Sequence, residues 1–126
     1  MKTRTRTANG NGGGKWCRPS TRLAIYLRDR FQCVYCLRDL HGADPRDVTL
    51  DHVVTGHADH RPANLVTACR SCNSRRQDTP LTRFAGPETV ADVRRRCALS
   101  LTPFRTLSLA IIAGELETDA ALEARG

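Results

Sequence analysis

Residues 33–77 read CVYCLRDLHGADPRDVTLDHVVTGHADHRPANLVTACRSCNSRRQ, and this stretch decides the fold. It opens with a Cys-x-x-Cys pair, Cys33 and Cys36, and a second pair, Cys69 and Cys72, follows after 32 intervening residues. Zn²⁺ prefers four tetrahedral ligands and binds thiolate sulfur at about 2.3 Å. Four thiolates leave no coordination position open. The two pairs therefore predict a structural, non-catalytic zinc ion.

Cysteine pairs also form disulfides or thioredoxin-type redox centres. The basic residues near the N-terminus are not followed by the apolar segment of a signal peptide, which favours a reducing, cytoplasmic location. Zinc is therefore the preferred interpretation of the two pairs. Cys17 and Cys97 have no partner at ligand spacing, and we expect them to be ordinary buried or free thiols.

An acidic residue and a histidine stand between the two cysteine pairs, within the apolar run LDHVV at residues 50–54. The flanking β-branched residues predict a strand. Adjacent strand residues point to opposite faces, so Asp51 and His52 serve one site only if the strand bends or ends there. Each candidate has a structural explanation when taken alone: a packed histidine, a turn residue at Asn64 and a helix cap at Asn73. Their combination at this spacing favours chemistry.

Taken together, the Asp51-His52 strand, Asn64 before the next strand and Asn73 directly after the second cysteine pair resemble the HNH endonuclease family. The resemblance covers residues 22–78. It implies an α+β fold class, with a small zinc-stapled ββα-metal core of treble-clef-like form and flanking helices. The last motif position is often His in this family, and Asn73 is a variant that the family also shows.

The resemblance also implies a role for each motif residue in a metal-dependent endonuclease that hydrolyses DNA phosphodiester bonds. Asp51 and Asn73 would ligate the catalytic metal, His52 would be the general base, and Asn64 would hold the loop and orient His52. Oxygen ligands are hard donors, so Mg²⁺ or Mn²⁺ fits this position better than zinc. The metal would neutralise the phosphate, while a neutral imidazole can accept a water proton near pH 7.

The formal net charge of +7 comes entirely from residues 1–32, since the acids and bases of the remaining chain balance. Such an excess attracts phosphate backbones without reading sequence, although a solubilising tail would look the same. After the second cysteine pair, Arg70, Arg75 and Arg76 are expected to form a basic helix face that contacts phosphate. A merely solvated face is the alternative.

The chain divides into a disordered, basic, glycine-rich arm (1–19), a nuclease core (20–82) and a C-terminal helical extension (83–126). Helices are predicted over 21–30, 70–78, 87–99 and 104–116, and strands over 32–35, 48–54 and 65–68. On the first helix, Arg22, Arg28 and Arg30 are expected to be solvated or to face DNA. The loop 55–62 carries His57 and His60, for which polar exposure is favoured over contact with phosphate or a metal.

Two other functions remain open from the sequence. A zinc-stapled module could bind nucleic acid without cutting it, or a small adaptor could dock its terminal apolar helix on a larger protein complex. The longest apolar stretch near the end, residues 107–113, is far shorter than the roughly 20 residues that span a bilayer, so no membrane segment is expected. The short Arg-rich chain is compatible with a phage or mobile-element source, by analogy alone.

Overall fold

The computed structural model describes residues 16–56 and 59–125. The predicted basic arm therefore lies almost wholly outside the described residues, as does His57. Within the described part, the elements in chain order are α1 (Pro19–Arg28), β1 (Val48–His52), β2 (Leu65–Cys69), α2 (Arg70–Arg76), α3 (Leu81–Phe84), α4 (Pro87–Ala98), α5 (Thr102–Ile112) and α6 (Thr118–Arg125).

The two strands form an antiparallel hairpin, in which Val48 pairs with Cys69 and His52 pairs with Leu65. Helix α2 starts immediately after β2, with Cys69 as its N-cap residue. Strand, strand and helix thus follow one another as a ββα unit. This arrangement, with its clustered cysteines and mixed helices and strands, confirms the predicted α+β fold class.

The first cysteine pair lies in an irregular turn where the sequence predicted a strand over 32–35. Gln32 forms a single antiparallel bridge with Asp39, and the Cys33 amide donates to the Arg38 carbonyl. Arg30, Phe31 and Leu37 have φ angles of 59°, 54° and 65°. Positive φ is incompatible with extended backbone. The chain therefore folds back on itself here, and the predicted strand is wrong.

The C-terminal helices share a hydrophobic core with α1 and the hairpin. Ile25 and Leu27 of α1 cluster with Leu65 of β2 and Phe104 of α5, and Ala121 of α6 is fully buried in the same cluster. Between α1 and α5, the buried Ser108 hydroxyl donates to the Ser20 carbonyl at 2.7 Å. Helix α5 is therefore fixed against the N-terminal helix.

A buried ion pair joins α1 to the hairpin. The guanidinium of Arg28 donates to Asp29 at 2.9 and 3.0 Å and to the carbonyls of Pro62 and Leu65, while Asp29 accepts from the Thr67 amide. The expectation that Arg28 is solvated or faces DNA is therefore wrong, because it is 2 % exposed. The positive charge of Arg28 pairs with the Asp29 carboxylate inside the protein.

None of the helices in the described residues is long and apolar enough to cross a membrane.

Replacing Arg28 by Gln is expected to lower the free energy of unfolding by about 3–5 kcal/mol, because the buried Asp29 carboxylate loses its nearer charge partner and keeps Arg96 at 4.0 Å. The matched control is Arg30→Gln, since Arg30 lies two residues away and is exposed. That change should stay within about 0.5 kcal/mol of the wild type. Urea unfolding of the three proteins measures both values, and equal stabilities would contradict the structural role of Arg28.

Candidate metal and nuclease site

The sulfur atoms of Cys33, Cys36, Cys69 and Cys72 all lie within 4.8 Å of one another, and Cys36 Sγ is 3.9 Å from Cys69 Sγ. A tetrahedron with metal–sulfur bonds of about 2.3 Å has edges of about 3.8 Å. Cys36 is exposed and the other three are buried. The four side chains can thus hold a metal ion, and the donor set suits zinc.

Local backbone geometry brings each pair of thiols together. Leu37 takes the left-handed conformation and donates its amide to the Cys33 carbonyl, which folds the first pair into a tight turn. At the second pair, Cys69 caps α2 by accepting the Cys72 amide at its sulfur, 3.4 Å away. Arg75 donates to Cys72 Sγ at 3.2 Å, which places a cation beside the cluster.

The pKa values of Cys69 and Cys72 shift in opposite directions. Burial and the neighbouring thiols raise the pKa of Cys72 far above its ordinary value. Burial also opposes ionisation of Cys69, yet hydrogen bonds from the Cys72 amide and the neighbouring thiols together lower the pKa of Cys69. A bound cation requires thiolates, so the lowered pKa of Cys69 favours metal binding.

The predicted metal ligand Asp51 lies in a buried ion pair. Its Oδ2 accepts from Arg76 Nη1 at 2.8 Å and from the Tyr35 hydroxyl at 2.5 Å. The Asp51 side chain is 6 % exposed and that of Arg76 is 0 % exposed. Burial and the Asp51 charge raise the pKa of Tyr35, so Tyr35 remains a neutral donor. Within residues 16–56 and 59–125, Asp51 Oδ1 accepts no hydrogen bond.

Asn73, the second predicted metal ligand, also faces β1. It lies on α2 about one helical turn before Arg76. Its amide nitrogen donates to Thr49 Oγ1 at 2.9 Å and to the Leu50 carbonyl at 3.2 Å. A carbonyl only accepts, so this contact fixes the orientation of the amide. No donor among the described residues contacts its Oδ1. Asn73 and Arg76 thus both face β1 from α2, at Thr49 and at Asp51 respectively.

The predicted general base, His52, contacts a second histidine. His52 Nε2 lies 2.9 Å from His60 Nδ1, and the Trp16 ring stands 5.2 Å from the His52 ring and 4.8 Å from the His60 ring. Burial and then the neighbouring His60 lower the pKa of His52. The neutral imidazole is therefore the favoured form at neutral pH, as a general base requires.

Asn64 closes the loop between the two strands. Its Oδ1 accepts from the Val54 amide at 2.8 Å, and its Nδ2 donates to the carbonyls of Val54 and Asp59 at 3.2 and 3.0 Å. None of these bonds reaches His52. Asn64 therefore holds the loop that carries His60.

The three arginines expected on one basic helix face do not share it. Arg70 and Arg75 are exposed, whereas Arg76 is fully buried and donates to the His52 and Val53 carbonyls as well as to Asp51. The prediction that Arg76 contacts phosphate is therefore wrong. Arg76 instead stabilises the hairpin from inside the protein. A guanidinium with five donors can satisfy several buried acceptors at once, which explains the position.

Two residues at the site were not assigned a role from the sequence. His60 was expected to be a polar loop residue, and Trp16 lay within the arm predicted over 1–19. One sign of the contact between His60 and His52 was present in the sequence: the two histidines are eight residues apart, on either side of a hairpin loop. The contact of Trp16 with the hairpin joins distant parts of the chain, and no local pattern in the sequence indicates it.

The fold and the site define a zinc-knuckle ββα protein with a histidine at the end of its first strand. Residues 33–79 match the family model described as HNH endonuclease. This segment therefore carries an HNH endonuclease domain, which confirms the family resemblance, and it occupies less than half of the chain. Searches of curated proteins and of solved structures gave no match.

We expect one zinc ion per chain. Cys72→Ser removes one ligand and should abolish zinc binding. It should also lower the unfolding temperature sharply, because structural zinc contributes directly to folding. Cys97→Ser makes the same change outside the cluster and should retain the metal. Elemental analysis and thermal unfolding measure the two effects. A stable, metal-free wild type would contradict the zinc assignment.

Proposed function

We propose that the protein is a metal-dependent endonuclease that hydrolyses DNA phosphodiester bonds, with His52 as general base. The observation that carries this proposal is the position of His52, half-buried on the hairpin of a ββα unit that matches the HNH endonuclease model. DNA is proposed as the substrate because HNH nucleases act on it. The exposed Arg70 and Arg75 of α2 are proposed to contact its phosphates.

His60 supports this role for His52 by determining which nitrogen accepts the proton. In the proposed tautomer, His52 Nε2–H donates to His60 Nδ1, 2.9 Å away, and the lone pair on His52 Nδ1 takes a proton from the attacking water. The Trp16 ring packs against both imidazoles and limits their rotation. A positioned base of this kind contributes roughly 10²- to 10⁴-fold to the rate.

Asp51 and Asn73 are the residues that would hold Mg²⁺ or Mn²⁺. Both keep an oxygen, Oδ1, that accepts no hydrogen bond from the described residues, and Asp51 is buried. These hard donors fit either cation, with the remaining positions left to water and phosphate. A bound divalent ion would neutralise a phosphate oxygen and stabilise the leaving oxygen. Thr49 and the Leu50 carbonyl orient the Asn73 amide for this purpose.

One observation favours the alternative, a zinc-stapled module that binds nucleic acid without cutting it. Arg76 already neutralises Asp51 at 2.8 Å inside the protein. The carboxylate therefore attracts a divalent ion less strongly than an unpaired aspartate would. A module that only binds would use the same ion pair to hold α2 against β1, and it would need no metal at Asn73.

Cleavage of supercoiled plasmid with added Mg²⁺ or Mn²⁺ tests the proposal. His52→Ala should lower the rate by roughly 10²- to 10⁴-fold, since the water loses its proton acceptor. His41→Ala removes an exposed histidine elsewhere and should cut like the wild type. Omitting the divalent ion should stop cleavage while the zinc, checked by elemental analysis, remains bound. DNA binding without cleavage under either ion would support the alternative.

The metal position can be tested without measuring activity. Asn73→Ala removes one of the two proposed oxygen ligands from a half-buried position, and Mn²⁺ binding followed by electron paramagnetic resonance should weaken measurably. Thermal unfolding of the variant checks that α2 remains folded. Unchanged Mn²⁺ affinity in a folded Asn73→Ala protein would remove Asn73 from the site.

A further inference from the structure

Seven of the sixteen arginines in the described residues are paired with a carboxylate. The arginines with a carboxylate within 4.0 Å are Arg28, Arg38, Arg46, Arg61, Arg76, Arg95 and Arg96. Three that have no such partner among the described residues, Arg18, Arg22 and Arg105, lie close to Trp16. Their charge is therefore available to an external anion.

Two of these arginines line one open groove of about 560 Å³. We call it the His60 groove; its walls include Trp16, Arg18, Thr21, His60, Arg105 and Leu109. Arg22 lies beside it, with its guanidinium carbon 5.5 Å from the centre of the Trp16 ring. None of the described residues that line the groove is acidic. The groove thus presents cations and one aromatic surface, without a competing carboxylate.

The inner end of the groove lies at the proposed general base. His60, which lines the groove, contacts His52 at 2.9 Å, and Trp16 packs against both rings. A strand whose scissile phosphate lies at His52 would therefore pass directly into the groove. Its neighbouring phosphates would meet guanidinium groups, which match phosphate oxygens well.

One wall of the groove, formed by α5, is attached to α1. Arg105 belongs to α5, and its Nη2 donates to Thr21 Oγ1 of α1 at 3.4 Å. The buried contact of Ser108 with the Ser20 carbonyl fixes the same two helices one turn further along α5. A preformed site loses less conformational entropy on binding than a flexible one. Arg105 is thus held in place before any ligand arrives.

We propose that the His60 groove binds the nucleic-acid strand next to the scissile phosphate, with Arg18 and Arg105 on its phosphates and Trp16 against a base or sugar. This inference rests on the proposed nuclease function and extends it to a helix outside residues 33–79. Helix α5 then has two roles: it covers the core beside α1, and it supplies a phosphate contact.

The test compares two variants that each remove one exposed arginine lacking a carboxylate partner among the described residues. Arg105→Gln changes the groove, and Arg94→Gln, on α4, changes a surface away from it. Duplex DNA binding is measured by fluorescence anisotropy between about 50 and 200 mM salt, without added Mg²⁺ or Mn²⁺. Arg105→Gln should weaken binding and reduce the slope of log K against log salt by about 0.9, the value for one phosphate contact. Arg94→Gln should leave both unchanged.

Arg18→Gln is a second variant on the opposite side of the groove and should act like Arg105→Gln. Equal effects of Arg105→Gln and Arg94→Gln, or no effect of either groove variant, would overturn the inference. The two proposals fail separately. A protein that cuts plasmid but binds equally in all variants retains the nuclease function and loses the groove. A protein that never cuts, but whose groove variants lose one phosphate contact, retains the groove as a binding surface and loses the nuclease.

Discussion

The cluster of four cysteine thiols is the constraint on which the candidate site depends. A two-stranded hairpin is marginally stable by itself in water. Here the last residue of β2, Cys69, is both a member of the cluster and the cap of α2. The direction of the helix is therefore fixed where the strand ends. Asn73 and Arg76, three residues apart on one helix face, both lie against β1 as a consequence.

The buried pair of Asp51 and Arg76 determines what this face of the hairpin can do. Arg76 donates to the Asp51 carboxylate and to the carbonyls of His52 and Val53. It therefore anchors the backbone at the end of β1. His52 is the last residue of β1, where strict strand alternation ends, and its imidazole meets His60.

Local pattern was sufficient to predict the ββα unit. The β-branched residues around Asp51 and His52 predicted a strand over 48–54, and a second strand was predicted over 65–68; the observed strands are Val48–His52 and Leu65–Cys69. Spacing predicted the four-cysteine cluster. The strand expected over 32–35 failed because positive φ angles on both sides of the first pair turn the chain back, and neither Arg30 nor Leu37 reveals such an angle by its type.

The sequence could not show which arginines are buried. Arg28 and Arg76 were expected at the surface, where arginine is usually found, yet both are enclosed by an aspartate and backbone carbonyls. Their partners, at Leu65 and Val53, are distant in sequence and were brought close only by the hairpin. The same limit applies to Trp16 and His60, whose contact depends on the packing of α1 beside the loop.

Net charge is therefore a poor measure of the basic surface of this protein. A carboxylate paired with an arginine offsets its positive charge and competes with phosphate for its N–H donors. An unpaired arginine has no such competitor. Arg18 and Arg105 meet this condition beside His60, although one precedes the matched segment and the other follows it. The part of the chain outside residues 33–79 thus places unpaired positive charge beside His60 and the proposed general base, His52.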